Sequence, residues 1–204
     1  MKQVKGLALT PQCGAKGFTL IELLIVIAIL AILATVVLLV INPVQMFAQA
    51  RDSQRIYDLN TLSNATALYI TTVTSPALQA GTFVCGTNFG ATVAGVDDDH
   101  FLGAVYTQYA NVSTLVTGAG WVPVAYTGIS GGSPLSSLPK DPTNTVASGY
   151  YYTYACDNTN KWFEFDANME SVRYANGGTD DIESTDGGDT ATVYEVGNDP
   201  GLDL

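Results

Sequence analysis

The 204-residue sequence has little positive charge and almost no histidine. It contains 8 lysine and arginine residues against 19 aspartate and glutamate residues, which gives a formal net charge of −11. A chain this acidic repels phosphate groups, so we expect no nucleic-acid partner. The single histidine excludes histidine-rich metal sites and leaves little room for a catalytic triad, so the composition argues against an enzyme.

The few basic residues are unevenly distributed along the chain. Residues 1–17 contain three lysines and no acidic residue. The 24 residues from Phe18 to Ile41 then form an apolar run, long enough to span about 30 Å of hydrocarbon as a helix. This run exceeds the apolar region of a cleaved secretory signal, which is about 7–15 residues long. The pattern predicts a membrane-spanning helix whose amino-terminal end stays in the cytoplasm.

One charged residue interrupts the apolar run. Glu22 lies between Ile21 and Leu23, and a carboxylate within a bilayer costs about 2.5–3.5 kcal/mol on insertion scales. Near a helix end, this carboxylate could reach the lipid headgroups or take up a proton. The alternative is that a neighbouring chain supplies a positive charge, which would give Glu22 a role in assembly.

The residues around Glu22 resemble a known targeting motif. Residues 17–30 read GFTLIELLIVIAIL and follow a basic leader that ends in Lys16-Gly17. This segment resembles the class III signal sequence of type IV pilins and pseudopilins. The likeness is dense over residues 16–45 and looser over the helix that follows.

The resemblance implies a pathway of processing and assembly. It implies that a prepilin peptidase cleaves between Gly17 and Phe18 and then N-methylates the new amino group of Phe18. It also implies that Glu22 pairs with the Phe18 ammonium of an adjacent subunit. The implied partners are the peptidase, the membrane, an inner-membrane assembly platform and further copies of this chain in a helical filament.

The resemblance and the residue pattern together predict an α+β, type IV pilin-like fold. We expect a leader over residues 1–17, a transmembrane and filament-core helix over 18–41, an amphipathic helix over 42–75 and a β-rich head over 76–204. The apolar half of the long helix is expected to protrude. The amphipathic half is expected to pack on an antiparallel β-sheet, and the head to end in a loop-rich acidic tail from about residue 176.

The residue pattern gives more detail for the helix and the head. Asn42-Pro43 predicts a kink between the two halves of the helix. We interpret residues 77–139 as a connecting region, 149–155 and 161–165 as a hairpin, and 193–196 as a last strand. Residues recurring at helical spacing predict the buried face of the amphipathic half: Ile56, Leu59, Leu62, Thr66, Tyr69 and Val73.

The three cysteines suggest one disulfide. Cys13 falls within the expected leader, so the processed chain retains only Cys85 and Cys156. An even pair of cysteines in an exported protein is typical of a disulfide. Two unpaired thiols are the alternative.

The tail from residue 176 is polar and rich in acidic residues. We favour a solvated tail without a cofactor, and a solvated turn for the acidic residues 97–100. The alternative is a calcium site, because oxygen ligands on a flexible loop suit Ca²⁺. Some major pseudopilins hold calcium in a C-terminal loop, so the resemblance strengthens this alternative. The candidate ligands are Asp180, Asp181, Glu183, Asp186 and Asp189.

The sequence as a whole favours a structural subunit. We expect a precursor in the inner membrane that is processed and polymerised into an extracellular type IV pilus-like filament. Two alternatives stay open. One is a pseudopilin, which would act in the periplasm as part of a type II secretion system, and the other is a membrane-anchored binding module that never polymerises.

Overall fold

A computed structural model of the protein describes residues 17–96, 101 and 106–204. The expected leader before Gly17, including Cys13, lies outside the described residues, as does the acidic segment 97–100. Contacts divide the chain into two compact units, Met1–Pro43 and Val44–Leu204.

The first unit contains an apolar helix, α1, at Leu20–Ile41. Its described side chains are exposed, which is the reverse of the usual distribution in a water-soluble fold. In the part of the chain that the structure describes, one helical stretch, Leu20–Thr72, is long and apolar enough to cross a membrane, by length and composition alone. The exposed apolar surface of α1 therefore needs lipid or other protein to cover it.

Helix α1 ends at Asn42, one residue before the proline. Asn42 adopts a left-handed conformation with φ 44° and ψ 71°, which asparagine tolerates better than most residues. The second helix, α2, then begins with the proline and runs over Pro43–Thr72. Proline suits the first position of a helix because its missing N–H is not needed there. The predicted kink is thus a complete break between two helices.

The second unit contains α2 and a five-stranded mixed sheet. The strands are β1 Asn88–Ala91, β2 Thr107–Gln108, β3 Tyr152–Asp157, β4 Trp162–Ala167 and β5 Tyr194–Gly197, in the order β2-β1-β3-β4-β5. All neighbouring strands are antiparallel except β1 and β2, which are parallel. The fold is therefore α+β as predicted, and the sheet is antiparallel except at its edge strand β2.

The predicted hairpin and last strand are confirmed. Strands β3 and β4 pair from Tyr152↔Ala167 to Asp157↔Trp162, and β5 pairs with β4. The expectation that residues 77–139 are only a connection is wrong, because this region contains β1 and β2. Both strands are short and include polar or glycine residues, so their sequence carries little β propensity. Pairing decides their conformation: β1 pairs with β3, and β2 pairs with β1.

The main core lies between α2 and one face of the sheet. The predicted stripe on α2 is confirmed, with its central members Leu59, Leu62 and Tyr69 buried. They join Phe163, Phe165 and the other core side chains of the sheet. Because successive residues of a strand point to opposite faces, the intervening Glu164 and Asp166 face the other side. That side has a smaller apolar cluster, which includes Phe89, Phe101 and Tyr151.

A buried arginine connects α2 to two loops of the head. Arg55 is fully buried, and its Nε and Nη2 donate to the two carboxylate oxygens of Asp141 at 2.5 and 3.0 Å. Its Nη1 donates to Asp52 Oδ1 at 2.6 Å. Asp52 also accepts the backbone N–H groups of Glu170 and Ser171 at 2.9 and 2.7 Å. Every charge in this group is therefore paired, which is the condition under which buried charges are tolerated.

A disulfide joins Cys85 to Cys156. Cys156 is fully buried in β3, and Cys85 is half-buried in the loop that precedes β1. The bond closes a segment of 71 residues, which in the chain-entropy model stabilises the fold by about 4 kcal/mol. It ties the loop before the unpredicted strand β1 to the centre of the sheet.

Removal of Arg55 is expected to destabilise the head severely. Arg55→Ala leaves Asp52 and Asp141 buried without their cation, so the free energy of unfolding should fall by about 3–5 kcal/mol. Urea denaturation of the full chain in a non-ionic detergent measures this quantity. The matched control is Arg173→Ala, which breaks an exposed ion pair with Asp180 and should leave the free energy of unfolding almost unchanged. Equal losses for the two variants would contradict a structural role for the buried charges.

The disulfide gives a second stability prediction. Replacement of both Cys85 and Cys156 by alanine should lower the free energy of unfolding by about 2–5 kcal/mol, because the unfolded chain gains conformational freedom. The same denaturation experiment tests it, with Cys13→Ala as the control because that substitution leaves the pair intact. An unchanged midpoint for the double variant would show that the bond contributes nothing.

Candidate processing and assembly site

The first site is the short segment that precedes α1. Gly17, Phe18 and Thr19 are exposed and non-helical, and Phe18 is 84% exposed. No other atom lies within 4 Å of the place where a Cβ on Gly17 would be. The peptide bond between Gly17 and Phe18 therefore lies outside the helix and between exposed residues, where an external enzyme can reach it.

Thr19 and Glu22 form a capping box at the start of α1. The Glu22 N–H donates to Thr19 Oγ1 at 3.2 Å, while Glu22 Oε2 accepts from the Thr19 N–H and from the Thr19 hydroxyl, both at 2.9 Å. This arrangement satisfies two helix-end donors that would otherwise lack partners. It also holds the carboxylate against the backbone N–H of the residue that follows Phe18.

The capping box was not part of the sequence-based prediction, although the sequence contains its signature. Thr19-Leu20-Ile21-Glu22 matches the pattern of a threonine followed three residues later by glutamate and an apolar run. Among the residues that the structure describes, no salt bridge involves Glu22. The hydrogen bonds that the structure shows for Glu22 are all local, to Thr19.

The first two candidate calcium ligands of the tail have other partners. Asp180 pairs with Arg173. Asp181 accepts from the Gly177 N–H at 2.8 Å and from the N–H and hydroxyl of Ser184 at 3.0 and 2.7 Å. The bonds from Ser184, with that from Gly177, lower the pKa of Asp181. These two carboxylates shape the loop that contains them.

The other three candidates are also separated from one another by their hydrogen bonds. Glu183 is buried and accepts the N–H groups of Met169 and Asn176, both at 2.8 Å. Asp186 accepts the Glu195 N–H at 2.7 Å, and Asp189 accepts from Thr190 Oγ1 at 3.2 Å. The expectation of a solvated tail is wrong for Glu183, because the loop folds back so that this side chain binds backbone groups after β4. The structure does not bring the five candidates together as a ligand set.

A different group of carboxylates does meet. Ligand oxygens of Glu164, Asp166 and Glu195 all lie within 4.8 Å of one another, and they are the one such group of three in the part of the chain that the structure describes. Burial, together with the neighbouring negative charges, raises the pKa of Glu164 to about 7 and that of Glu195 to about 9. The same causes raise the pKa of Asp166 well above its usual range.

Sequence analysis missed this group because its members come from two strands. The alternation in Phe163-Glu164-Phe165-Asp166 predicts that both acids share one face of β4. Nothing in the local sequence pairs β4 with Glu195, which lies on β5.

Comparison with known proteins identifies one motif. Residues 13–38 match the family described as the prokaryotic N-terminal methylation motif. The match supports a class III signal sequence, which type IV pilin and pseudopilin precursors carry, and the motif indicates a structural subunit. Its apolar helix fits a precursor in the inner membrane. No curated protein and no solved structure matches the chain.

Proposed function

We propose that this chain is the precursor of a type IV pilin, which is cleaved after Gly17, N-methylated at Phe18 and polymerised into an extracellular filament. The observation that carries the proposal is the exposed, non-helical Gly17–Phe18 bond, followed at once by a capped apolar helix with Glu22 as its single charge. The methylation motif supports the same reading. A prepilin peptidase and an inner-membrane assembly platform are the partners that this function requires.

Cleavage creates a positively charged group that can pair with Glu22. The new amino group of Phe18 is a cation at the end of an apolar helix, where an unpaired ammonium is costly. Within one chain, Glu22 is held by Thr19. In a filament, the carboxylate of one subunit accepts the ammonium of the next, so that each charge is paired. Because both charges leave water, removing one partner should be strongly unfavourable.

The apolar surface of α1 supplies the packing of the filament. Its exposed leucine, isoleucine and valine side chains are covered by lipid before assembly and by other copies of α1 afterwards. The apolar burial is similar in both environments, so the charge pair sets the register between subunits. The acidic head then forms the outer surface of the filament.

Two other functions use the same motif or the same helix. A pseudopilin undergoes the same processing but forms a short periplasmic filament that drives protein secretion. A membrane-anchored binding module keeps residues 1–17 and does not need Glu22. Surface location separates the pilin from the pseudopilin, and the mass of the mature chain separates both from the anchored module.

The first test is mass spectrometry of protein sheared from the surface of cells that express the chain natively. We expect a mature chain that begins at Phe18 and carries one added methyl group. The same processed chain found only in membranes would favour the pseudopilin. An uncut chain that begins at Met1 would overturn the processing and leave the anchored module.

The second test separates the charge of Glu22 from its role in the capping box. Glu22→Ala should leave cleavage and methylation intact but abolish filaments, because the ammonium of Phe18 then has no partner. The control is Thr19→Val, which removes the side-chain hydrogen bonds of the cap and keeps the carboxylate; filaments should persist. Electron microscopy of sheared material measures both. Normal filaments from Glu22→Ala would contradict the charge pair.

A further inference from the structure

The group of Glu164, Asp166 and Glu195 is built into the second face of the sheet. Asp166 on β4 and Glu195 on β5 lie directly opposite each other in the antiparallel register. Glu164 lies two residues before Asp166 on the same face of β4. All three side chains are buried, with 1%, 0% and 2% of their surfaces exposed. Like charges in directly opposite positions destabilise a strand pair, so this placement needs a compensating partner.

The hydrogen bonds of the three carboxylates leave two oxygens unused. Glu164 Oε2 accepts the Leu204 N–H at 3.1 Å, and Asp166 Oδ2 accepts the Thr153 hydroxyl at 3.2 Å. Glu195 Oε2 accepts the Thr190 N–H at 3.2 Å. Asp166 Oδ1 and Glu195 Oε1 are buried and accept no hydrogen bond from an N–H or hydroxyl group of the described residues, and their one close polar neighbour among the three is the Glu164 carboxyl group. A buried carboxylate oxygen without a partner costs the full desolvation energy of the group.

No cation of the described chain reaches these carboxylates. The ion pairs among the described residues involve Arg51, Arg55 and Arg173, and none includes a member of the group. A fourth buried acid, Asp199, adds negative charge near Glu164, and its Oδ1 also lacks a hydrogen-bond partner. Several acids are therefore buried together without a cation from the described residues, which leaves a proton or a bound cation to offset their charge.

We propose that Glu164, Asp166 and Glu195 bind a Ca²⁺ ion. Three carboxylates offer only hard oxygen ligands. Such ligands suit Ca²⁺ better than metals that prefer thiolate or imidazole ligands. One oxygen from each residue lies within 4.8 Å of the other two, so a single ion can contact all three side chains. Mg²⁺ needs a near-ideal octahedron and loses its water ligands reluctantly, so a set of buried protein carboxylates suits Ca²⁺ better.

The loop before β5 holds one of the ligands in place. A Cβ on Gly188 would lie 1.8 Å from Glu195 Oε2, so only glycine allows the loop to approach this carboxylate so closely. The Thr190 N–H fixes the same oxygen, and the Glu195 N–H donates to Asp186 Oδ2. The loop therefore holds Glu195 through one carboxylate oxygen and leaves Oε1 available to a cation.

The test is a calcium titration of the full chain, purified in a non-ionic detergent and stripped with a chelator. Isothermal titration calorimetry should give one Ca²⁺ per chain, and Ca²⁺ should raise the melting temperature because it binds only the folded state. Mg²⁺ should bind more weakly. Glu195→Gln and Asp166→Asn should each weaken Ca²⁺ binding by at least about tenfold. Without calcium, both variants should melt at or above the temperature of the unmodified chain, since each replaces a buried acid, whose charged form burial disfavours, with a neutral amide.

The control is the double variant Asp180→Asn, Asp181→Asn, which removes two acids from the loop that the sequence suggested as a calcium site. It should bind Ca²⁺ as the unmodified chain does. If this control loses Ca²⁺ binding while Glu195→Gln and Asp166→Asn retain it, the calcium site lies in the loop and the proposal is overturned. An unmodified chain that binds no Ca²⁺, or binds Mg²⁺ as tightly, would overturn it as well.

Discussion

The fold of the head depends on the burial of Arg55. Its guanidinium connects three parts of the chain that are far apart in sequence: α2, the loop at Asp141 and the segment at Glu170. Asp52 accepts hydrogen bonds both from this arginine and from the backbone of the segment after β4. Because a buried charge without its partners is strongly unfavourable, this pairing favours the arrangement in which all three parts are in place. The charge pairing thereby fixes α2 against the head, while apolar packing provides most of the stability.

The requirement that a buried charge be paired applies to other parts of the molecule as well. Arg55 has its partners inside the head. Glu22 has only the local cap at Thr19, and in the proposed filament it gains the amino group of the next subunit. The carboxylates around Asp166 have hydrogen bonds for some of their oxygens and none for others. Glu22 and the carboxylates around Asp166 have no cation partner among the described residues, and they are the places where the protein is expected to meet something else.

Much of the fold follows from local sequence patterns. Helical spacing predicts the face of α2 that carries Leu59 and Leu62, and alternation predicts the hairpin of β3 and β4. The strands β1 and β2 have no such pattern. Asn88 and Gly90 of β1 are poor strand formers whose propensity is overridden by pairing with β3, and β2 is only two residues long and pairs with β1. The acidic tail differs from its prediction for a related reason. Its composition predicts that its side chains are solvated, whereas Glu183 is buried and accepts a hydrogen bond from the backbone N–H of Met169, a residue distant in the sequence.

The sequence by itself determined the apolar run with its single charge, the cleavage motif at Gly17–Phe18 and the elements with clear periodicity. These features depend on residues that are near one another in the chain, so one sequence contains them completely. Only the tertiary structure decided which charges meet. Arg55 and Asp141 are 86 positions apart, and Glu195 reaches Asp166 only through the register of two strands. Such contacts depend on how distant segments pair, which no local pattern encodes.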